Sequence, residues 1–239
     1  MDSYTVLRTQ EWEFDSLRGC HINKVMKPKI ALFIHQPMCS VQSSNGIMQA
    51  LKSHYDFKIF TKHELEEDFF NDVDIVAFPG GFGNSDSYDY LLKNNADLIK
   101  EFVNSGGKYL GICMGAYWAN HYYFDLLEDV DAVQYYKQPT ADTHRPHTKA
   151  ISVTWNGQSD KMFYNDGCCF IGDQTKFTTV ATYANGDPMA IIQGNLGLMG
   201  CHLESEKFWY DSYTWMPEHW HNRRHHALLL EFVNLLHSK

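Results

Sequence analysis

The chain has 239 residues, of which 44% are hydrophobic and 15% aromatic, and 29 acidic against 20 basic residues give it a formal charge of −9. This composition is typical of a packed globular protein and excludes a disordered chain. The acidic balance disfavours nucleic acid and anionic membranes as partners, so we expect neither.

The first residues, MDSYTVLRTQEWEF, are polar and acidic where a signal peptide needs an apolar core, and no later run approaches the roughly 18 apolar residues of a membrane-spanning helix. Six irregularly spaced cysteines in a chain of this size favour reduced thiols. We therefore expect a cytoplasmic protein. No linker-like stretch interrupts the chain, which predicts a single domain over residues 28–239 preceded by an N-terminal arm, residues 1–27.

Short apolar runs alternate with helical patterns in the first half of the chain. The predicted elements, in chain order, are strand 29–35, helix 43–54, strand 57–60, strand 74–78, helix 88–104 and strand 109–112. Ser43 or Ser44 is the predicted cap of the first helix, and the acidic segment 64–72 is predicted to be a solvated helix or loop face. The alternation predicts a parallel sheet covered by helices.

From about Val130 the pattern changes to short β-type runs separated by turn signals, which predicts antiparallel pairing. The predicted strands are 150–155, 161–164, 177–183, 189–193 and 197–202. An amphipathic helix at about 222–236 can cover one face of the sheet. The expected fold is an α/β, flavodoxin-like three-layer sandwich, with a mostly parallel central sheet and an antiparallel β extension.

The segment GICMGAY places Cys113 at a tight turn between a strand and a helix predicted over residues 116–121. Gly111 and Gly115 would permit the strained backbone of a nucleophile elbow, and the helix would direct its N-terminal amides at the sulfur. Both effects favour the thiolate over the thiol. The alternative is that Cys113 is a small buried residue at a strand end.

Two other predicted strands end in groups that suit the same chemistry. Pro79-Gly80-Gly81 follows the third strand, where ligands of parallel α/β sheets bind, and a backbone N–H there could form an oxyanion hole with the N–H of Met114. The alternative is a plain turn.

His202 and Glu204 follow the last predicted strand. Residues two apart on an extended segment point to one side, so Glu204 could hold one ring nitrogen of His202 while the other faces the thiol of Cys113. A histidine and an acid at this spacing are common in structural roles. Their combination with the cysteine elbow predicts a Cys-His-Glu triad.

These three landmarks stand in the chain order that is found in the class I glutamine amidotransferase superfamily, which the chain resembles. The strings GGKYLGICMGAYWA and FYNDGC (Phe163 to Cys168) resemble the glutamine-amidotransferase-like domain at the N-terminus of eukaryotic biotin-protein ligases, and the likeness covers roughly residues 28–236.

The resemblance implies a nucleophile at Cys113, a general base and acid at His202, an orienting Glu204 and oxyanion donors near Gly81 and Met114. In that scheme the thiolate attacks the carbonyl of a small-molecule amide, His202 protonates the leaving amine, and water hydrolyses the thioester. The scheme requires no cofactor and no metal, and we expect none.

The chain departs from the family in features that concern the substrate and partners. Tyr117 stands where glutamine amidotransferases commonly have the Gln that helps to hold the substrate, and Leu203 stands where they usually have Pro. Ammonia transfer would need a separate acceptor or synthetase protein, because no such domain is present. The Gly-Arg-Gly-Arg biotin loop of the ligases is absent, so we predict no biotin ligase activity.

Three residue groups remain outside this scheme. Histidines at 144, 147, 219, 221, 225 and 226 are better explained by a polar helix face than by a metal site, and Cys168-Cys169 is predicted to be inert packing. The aromatic run from Phe208 to Trp220 is predicted to be a lid or a packing segment, and its position after His202 suggests that it forms one wall of the pocket. Two functions remain open: a cysteine-dependent amidohydrolase or amidotransferase-like enzyme, and a non-catalytic binding or regulatory module that retains the fold.

Overall fold

The structure, a computed structural model, describes residues 27–34, 40–81 and 89–239, with the side chains of 89–94 left aside. The predicted N-terminal arm up to residue 26, together with Cys20 and Cys39, lies outside the described residues. Within them, no helix combines the length and the apolar character needed to cross a membrane.

Eleven strands and five α-helices make up the described fold. The strands are β1 Lys29–Phe33, β2 Asp56–Phe60, β3 Ile75–Phe78, β4 Lys108–Ile112, β5 Val130–Gln134, β6 Lys149–Trp155, β7 Gln158–Tyr164, β8 Cys168–Gly172, β9 Thr178–Tyr183, β10 Pro188–Gln193 and β11 Leu196–Met199. The helices are α1 Val41–Leu51, α2 Asp89–Asn104, α3 Met114–Tyr117, α4 Lys207–Asp211 and α5 Arg224–His237.

Nine strands form one sheet in the order β2-β1-β3-β4-β11-β10-β9-β6-β7. The first five are mutually parallel, and the four from β10 onward pair antiparallel. This arrangement confirms the predicted parallel sheet with an antiparallel extension. Two details differ: β11 pairs parallel with β4, and β5 and β8 form a separate two-stranded sheet that was not predicted.

Helices cover both faces of the sheet and give the predicted three layers. On one face, α1 and α5 contribute Leu51 and Phe232 to a buried cluster. On the other, α2 contributes Ile99 and Val103, which pack with Trp118. The central strands are buried on both faces, and that is why their sequences are continuous apolar runs.

The carboxyl ends of the parallel strands meet at one edge of the sheet. There β3 ends before Pro79, β4 ends before Cys113, and β11 ends three residues before His202. The start of α1 reaches the same edge, because the Ser40 amide donates a hydrogen bond to the Gly80 carbonyl oxygen at 2.9 Å. Segments far apart in sequence therefore converge at one place.

Three predicted elements need correction. Ser40, not Ser43 or Ser44, caps α1, since its hydroxyl oxygen accepts a hydrogen bond from the Ser43 amide at 3.4 Å. Segment 64–72 consists of turns and buries Phe69 and Phe70, so it is more than a solvated face. Helix α3 is a single turn, because the chain continues into a series of turns after Tyr117.

Candidate active site

Cys113 lies in a strained turn between β4 and α3. Its φ of 51° and ψ of −104° are sparsely populated by residues with a side chain. Its amide donates to the Met199 carbonyl oxygen at 2.8 Å, which ties the turn to β11. The sequence suggested that the neighbouring glycines would adopt the strained backbone of this turn. In the structure Cys113 itself adopts it.

Gly111 and Gly115 serve close packing instead. A Cβ at Gly111 would lie 2.5 Å from the Gly115 carbonyl oxygen, and a Cβ at Gly115 would overlap the carbonyl group of Phe78. Neither glycine has a positive φ. Because α3 has only four residues, its dipole is small, and its contribution to the site is local. Within the described residues the Met114 amide makes no hydrogen bond, as is usual in a first helical turn.

His202 and Glu204 lie in a turn and not on an extended strand, because β11 already ends at Met199. The Ser205 amide closes the turn by donating to the His202 carbonyl oxygen at 3.3 Å, and the His202 amide donates to the Phe163 carbonyl oxygen at 2.9 Å. The turn places Nδ1 of His202 2.8 Å from Oε1 of Glu204. The predicted contact between His202 and Glu204 is present, but a turn and not a strand brings the two side chains together.

The His202–Glu204 pair is shielded from solvent, since Glu204 is fully buried and His202 nearly so. Burial alone would lower the pKa of His202, but the Glu204 carboxylate and the neighbouring Cys113 sulfur outweigh it and raise the pKa to about 10. Because this value exceeds the ordinary 6.5, the protonated ring stabilises the fold. That contribution is complete below about pH 6.5 and is lost as the pH rises through about 10.

Gly80 lies directly under the His202 ring. A Cβ at this position would stand 2.5 Å from Cε1 of His202, so only glycine fits beneath the ring as it is placed. The Gly80 amide donates to the Ser43 hydroxyl oxygen at 3.0 Å and is therefore engaged within the protein. Gly80 supports the histidine and is not an open oxyanion donor, contrary to the sequence prediction. Gly81 lines the cleft in front of Cys113.

Ser43 is a site residue that sequence reasoning missed. Its hydroxyl is buried and donates to Oε1 of Glu204 at 2.6 Å. The sequence prediction assigned this residue to capping, and that role belongs to Ser40. A usable signal was its place at the start of the helix that follows β1, since the segments that follow parallel strands meet at the same edge.

The cleft over Cys113 has a volume of about 160 Å³, close to that of a cavity that holds a benzene-sized ligand. Segment 163–165, part of the FYNDGC string, contributes Phe163 and Asn165, and the Cys113 thiol donates to the Asn165 carbonyl oxygen at 3.5 Å. Of the aromatic run, Phe208, Trp209 and Tyr213 line the cleft. Trp215 and Trp220 do not.

Tyr117 is not among the residues that line this cleft. Its hydroxyl donates to the Asp166 carbonyl oxygen at 3.2 Å, and its side chain lines a separate surface depression together with Gln134 and Lys137. A role of Tyr117 in substrate binding, which its position four residues after the cysteine suggested, stays a prediction. The Tyr117 side chain lines a different depression from Cys113.

The histidines near α5 are partly buried, which corrects the prediction of a polar helix face. His221 and His225 are buried and their rings stack at 4.0 Å, and His225 contacts the Asp160 carboxylate at 2.9 Å. Burial, and to a smaller extent the charges of the neighbouring histidines, lowers the pKa of His221 to about 3. His226 and His221 both contact the Ser205 carbonyl oxygen, so the cluster holds the turn after Glu204.

The other described cysteines differ from Cys113 in their surroundings. Cys168, Cys169 and Cys201 are fully buried and none of them lines the cleft. Burial raises the pKa of the Cys169 thiol to about 12 and shifts the pKa of the other two in the same direction. Among the described residues, no group of three or more His, Cys, Asp or Glu side chains is arranged to hold a metal ion.

Comparison with known proteins finds one family model and curated relatives that match the sequence. The sequence model of the family described as biotin-protein ligase, N terminal, matches residues 36–134. The phosphoribosylformylglycinamidine synthase subunit PurQ of Methanococcus maripaludis (strain C5) is 45% identical over 51 residues, which cover 18% of this chain and 19% of that protein. The chain thus spans about a fifth of the length of the curated relatives it matches.

Solved structures match the fold over most of the chain. A glutamine amidotransferase from Thermotoga maritima has a TM-score of 0.63 at 15% identity, covering 89% of this chain and 99% of that one. The structure of PurLQS from Thermotoga maritima has a TM-score of 0.60 at 13% identity, covering 88% and 100%. The chain is therefore similar in sequence to the biotin-protein ligase N-terminal family over residues 36–134, and its fold is the one seen in solved glutamine amidotransferases.

The close contact between Gly80 and the His202 ring can be tested by Gly80→Ala. The added methyl group forces the ring away, and we expect the Nδ1–Oε1 distance to Glu204 to exceed 3.5 Å in a crystal structure of the variant. Ser44→Ala is the control, because it removes a buried hydroxyl from α1 without adding an atom. An unchanged distance of 2.8 Å in Gly80→Ala would contradict the steric role.

Proposed function

We propose that this chain is a cysteine-dependent amidohydrolase or amidotransferase-like enzyme that acts on a small amide through Cys113, His202 and Glu204. The observation that carries the proposal is the buried contact of 2.8 Å between Nδ1 of His202 and Oε1 of Glu204, beside a strained cysteine that lines a cleft. This is the arrangement of a nucleophile, a base and a group that orients the base.

In the proposed reaction the Cys113 thiolate attacks the amide carbonyl carbon, and the carbonyl oxygen becomes an oxyanion. The amides of Gly81 and Met114 are the proposed donors to that oxyanion. The carbon–nitrogen bond then breaks as protonated His202 gives its proton to the leaving amine, which leaves a thioester on Cys113. Neutral His202 takes a proton from water, and the resulting hydroxide attacks the thioester carbon. The carbon–sulfur bond then breaks, which gives a carboxylic acid and returns Cys113 to the thiolate.

The cleft supports a small amide as substrate. Its volume of about 160 Å³ is close to that of a cavity that holds a benzene-sized group, which suits a small amide. The described lining combines hydroxyl groups, from Ser40, Thr148 and Ser212, with the aromatic side chains of Phe208 and Trp209. Hydrogen bonds to the amide and an aromatic contact to the rest of the molecule follow from this lining.

If the reaction releases ammonia for transfer, we propose that a separate acceptor or synthetase protein takes it up. Support comes from the relative PurQ, which is named as a synthase subunit, and from the structural likeness to PurLQS. The proposed chemistry needs no cofactor or metal. The family match concerns the N-terminal part of biotin-protein ligase, and the proposal assigns this chain no biotin ligation of its own.

Alkylation of Cys113 by iodoacetamide tests the activated nucleophile. An ordinary thiol with a pKa of about 8.5 reacts about 200-fold more slowly at pH 6 than at pH 9, because only the thiolate reacts. We expect a thiolate paired with the His202 imidazolium to react at pH 6 within about fivefold of its rate at pH 9. Mass spectrometry of peptides distinguishes Cys113 from the other five cysteines.

Two variants serve as controls for this measurement. Cys113→Ser removes the signal, and His202→Ala restores the steep pH dependence of an ordinary thiol. If wild-type Cys113 shows that steep dependence, the enzyme proposal fails and a non-catalytic binding module is favoured. A screen for amide hydrolysis, with Cys113→Ser as the blank, then identifies the substrate.

The aromatic wall gives a second test, once a substrate is found. Phe208 lines the cleft and is 44% exposed, whereas Trp215 is 57% exposed and lies outside the lining. We expect Phe208→Ala to raise KM about 5- to 30-fold through lost aromatic contact. Trp215→Ala should leave KM within about twofold. Equal effects of the two substitutions would contradict a substrate contact by this wall.

A further inference from the structure

We propose that Ser43 is a positioning residue, whose hydroxyl fixes the Glu204 carboxylate in the orientation that holds His202. This inference rests on the proposed function and adds a residue outside the Cys-His-Glu set. It concerns a contact between the first turn of α1 and the turn after β11, which are separated by 161 positions in the sequence.

The hydrogen bonds around Ser43 have a defined direction. The Gly80 amide can only donate, so the Ser43 oxygen accepts at 3.0 Å and the Ser43 proton is available for Glu204, whose Oε1 lies at 2.6 Å. The same Oε1 accepts from Nδ1 of His202 at 2.8 Å. One carboxylate oxygen therefore joins the glycine turn, α1 and the histidine.

The hydrogen bond from Ser43 matters more for the Glu204 carboxylate because the second carboxylate oxygen is unpartnered among the described residues. Oε2 is buried and has no hydrogen-bond partner among the described residues. The carboxylate thus depends on two hydrogen bonds, both to Oε1, one from His202 and one from Ser43. A buried carboxylate is costly unless it is hydrogen-bonded, so loss of the Ser43 hydroxyl should weaken the charged form of Glu204 and its hold on His202.

The backbone around Ser43 is fixed independently of its hydroxyl. The Ser40 amide donates to the Gly80 carbonyl oxygen at 2.9 Å, and a Cβ at Gly46 would overlap the Glu204 carbonyl oxygen. These contacts hold α1 against both turns. Removal of one hydroxyl should therefore leave α1 in place and affect chiefly the carboxylate.

The experiment compares Ser43→Ala with Ser44→Ala. Ser44 is also buried on α1, but among the described residues its hydroxyl contacts the Phe33 and Ser40 carbonyl oxygens and not Glu204. We expect Ser43→Ala to slow alkylation of Cys113 by iodoacetamide at pH 6 by about 10- to 100-fold, the loss typical of a hydrogen bond to a charged group. Ser44→Ala should change this rate by less than about twofold, although both variants lose a buried hydroxyl.

A double-mutant cycle with Glu204→Gln separates positioning from a general structural role. If Ser43 acts through the Glu204 carboxylate, Ser43→Ala should slow the reaction by less than about threefold when Gln replaces Glu204. Equal rates in Ser43→Ala and Ser44→Ala, or an undiminished effect of Ser43→Ala in the Glu204→Gln protein, would overturn the inference.

The failure of the proposed function has a different signature. In that case wild-type Cys113 already shows the steep pH dependence of an ordinary thiol, and the Ser43 proposal falls with it. If wild-type alkylation is fast at pH 6 and only the Ser43 comparison fails, the proposed function stands and Ser43 is a structural residue.

Discussion

The fully buried carboxylate of Glu204 is the constraint on which the candidate site depends. A charged group at such a position is tolerated only with hydrogen bonds, and His202 and Ser43 provide them at 2.8 and 2.6 Å. The hydrogen bonds of Glu204 and Ser43 join the start of α1, the turn after β3 and the turn after β11 at one edge of the sheet. Cys113 stands at the same edge because β4 lies between β3 and β11.

Two parts of the fold have different tasks in this arrangement. The parallel strands position Cys113, Gly80 and His202 by their ends, where the backbone is held on both sides by neighbouring strands. The wall of the cleft comes from other segments: β7 contributes Phe163, and the segment after Glu204 contributes Phe208 and Trp209. Because the wall of the cleft and the groups proposed to react lie on different segments, the wall can change with sequence without altering those groups.

The sequence predicts the parallel strands and the convergence of their carboxyl ends, for physical reasons. Apolar runs such as β1 identify buried parallel strands, and parallel strands align their carboxyl ends, so the glycine turn, Cys113 and His202 were expected to converge. Pairing partners were less accessible, because periodicity does not say that β11 joins β4. Ser43 was missed since a serine at a helix start predicts a cap. His221 and His225 were misjudged because polar residues on a helix predict a solvated face.

Titration of His202 by NMR tests the hydrogen-bonded chain most directly, because the ring stands between the carboxylate and the sulfur. Both ring nitrogens should carry protons at pH 7, and the ring should lose a proton only as the pH rises towards its pKa of about 10. A pKa of 6.5 or lower would contradict this, since that is what burial without an effective negative partner would produce. The histidine would then be a buried neutral residue, and Cys113 would lack its partner.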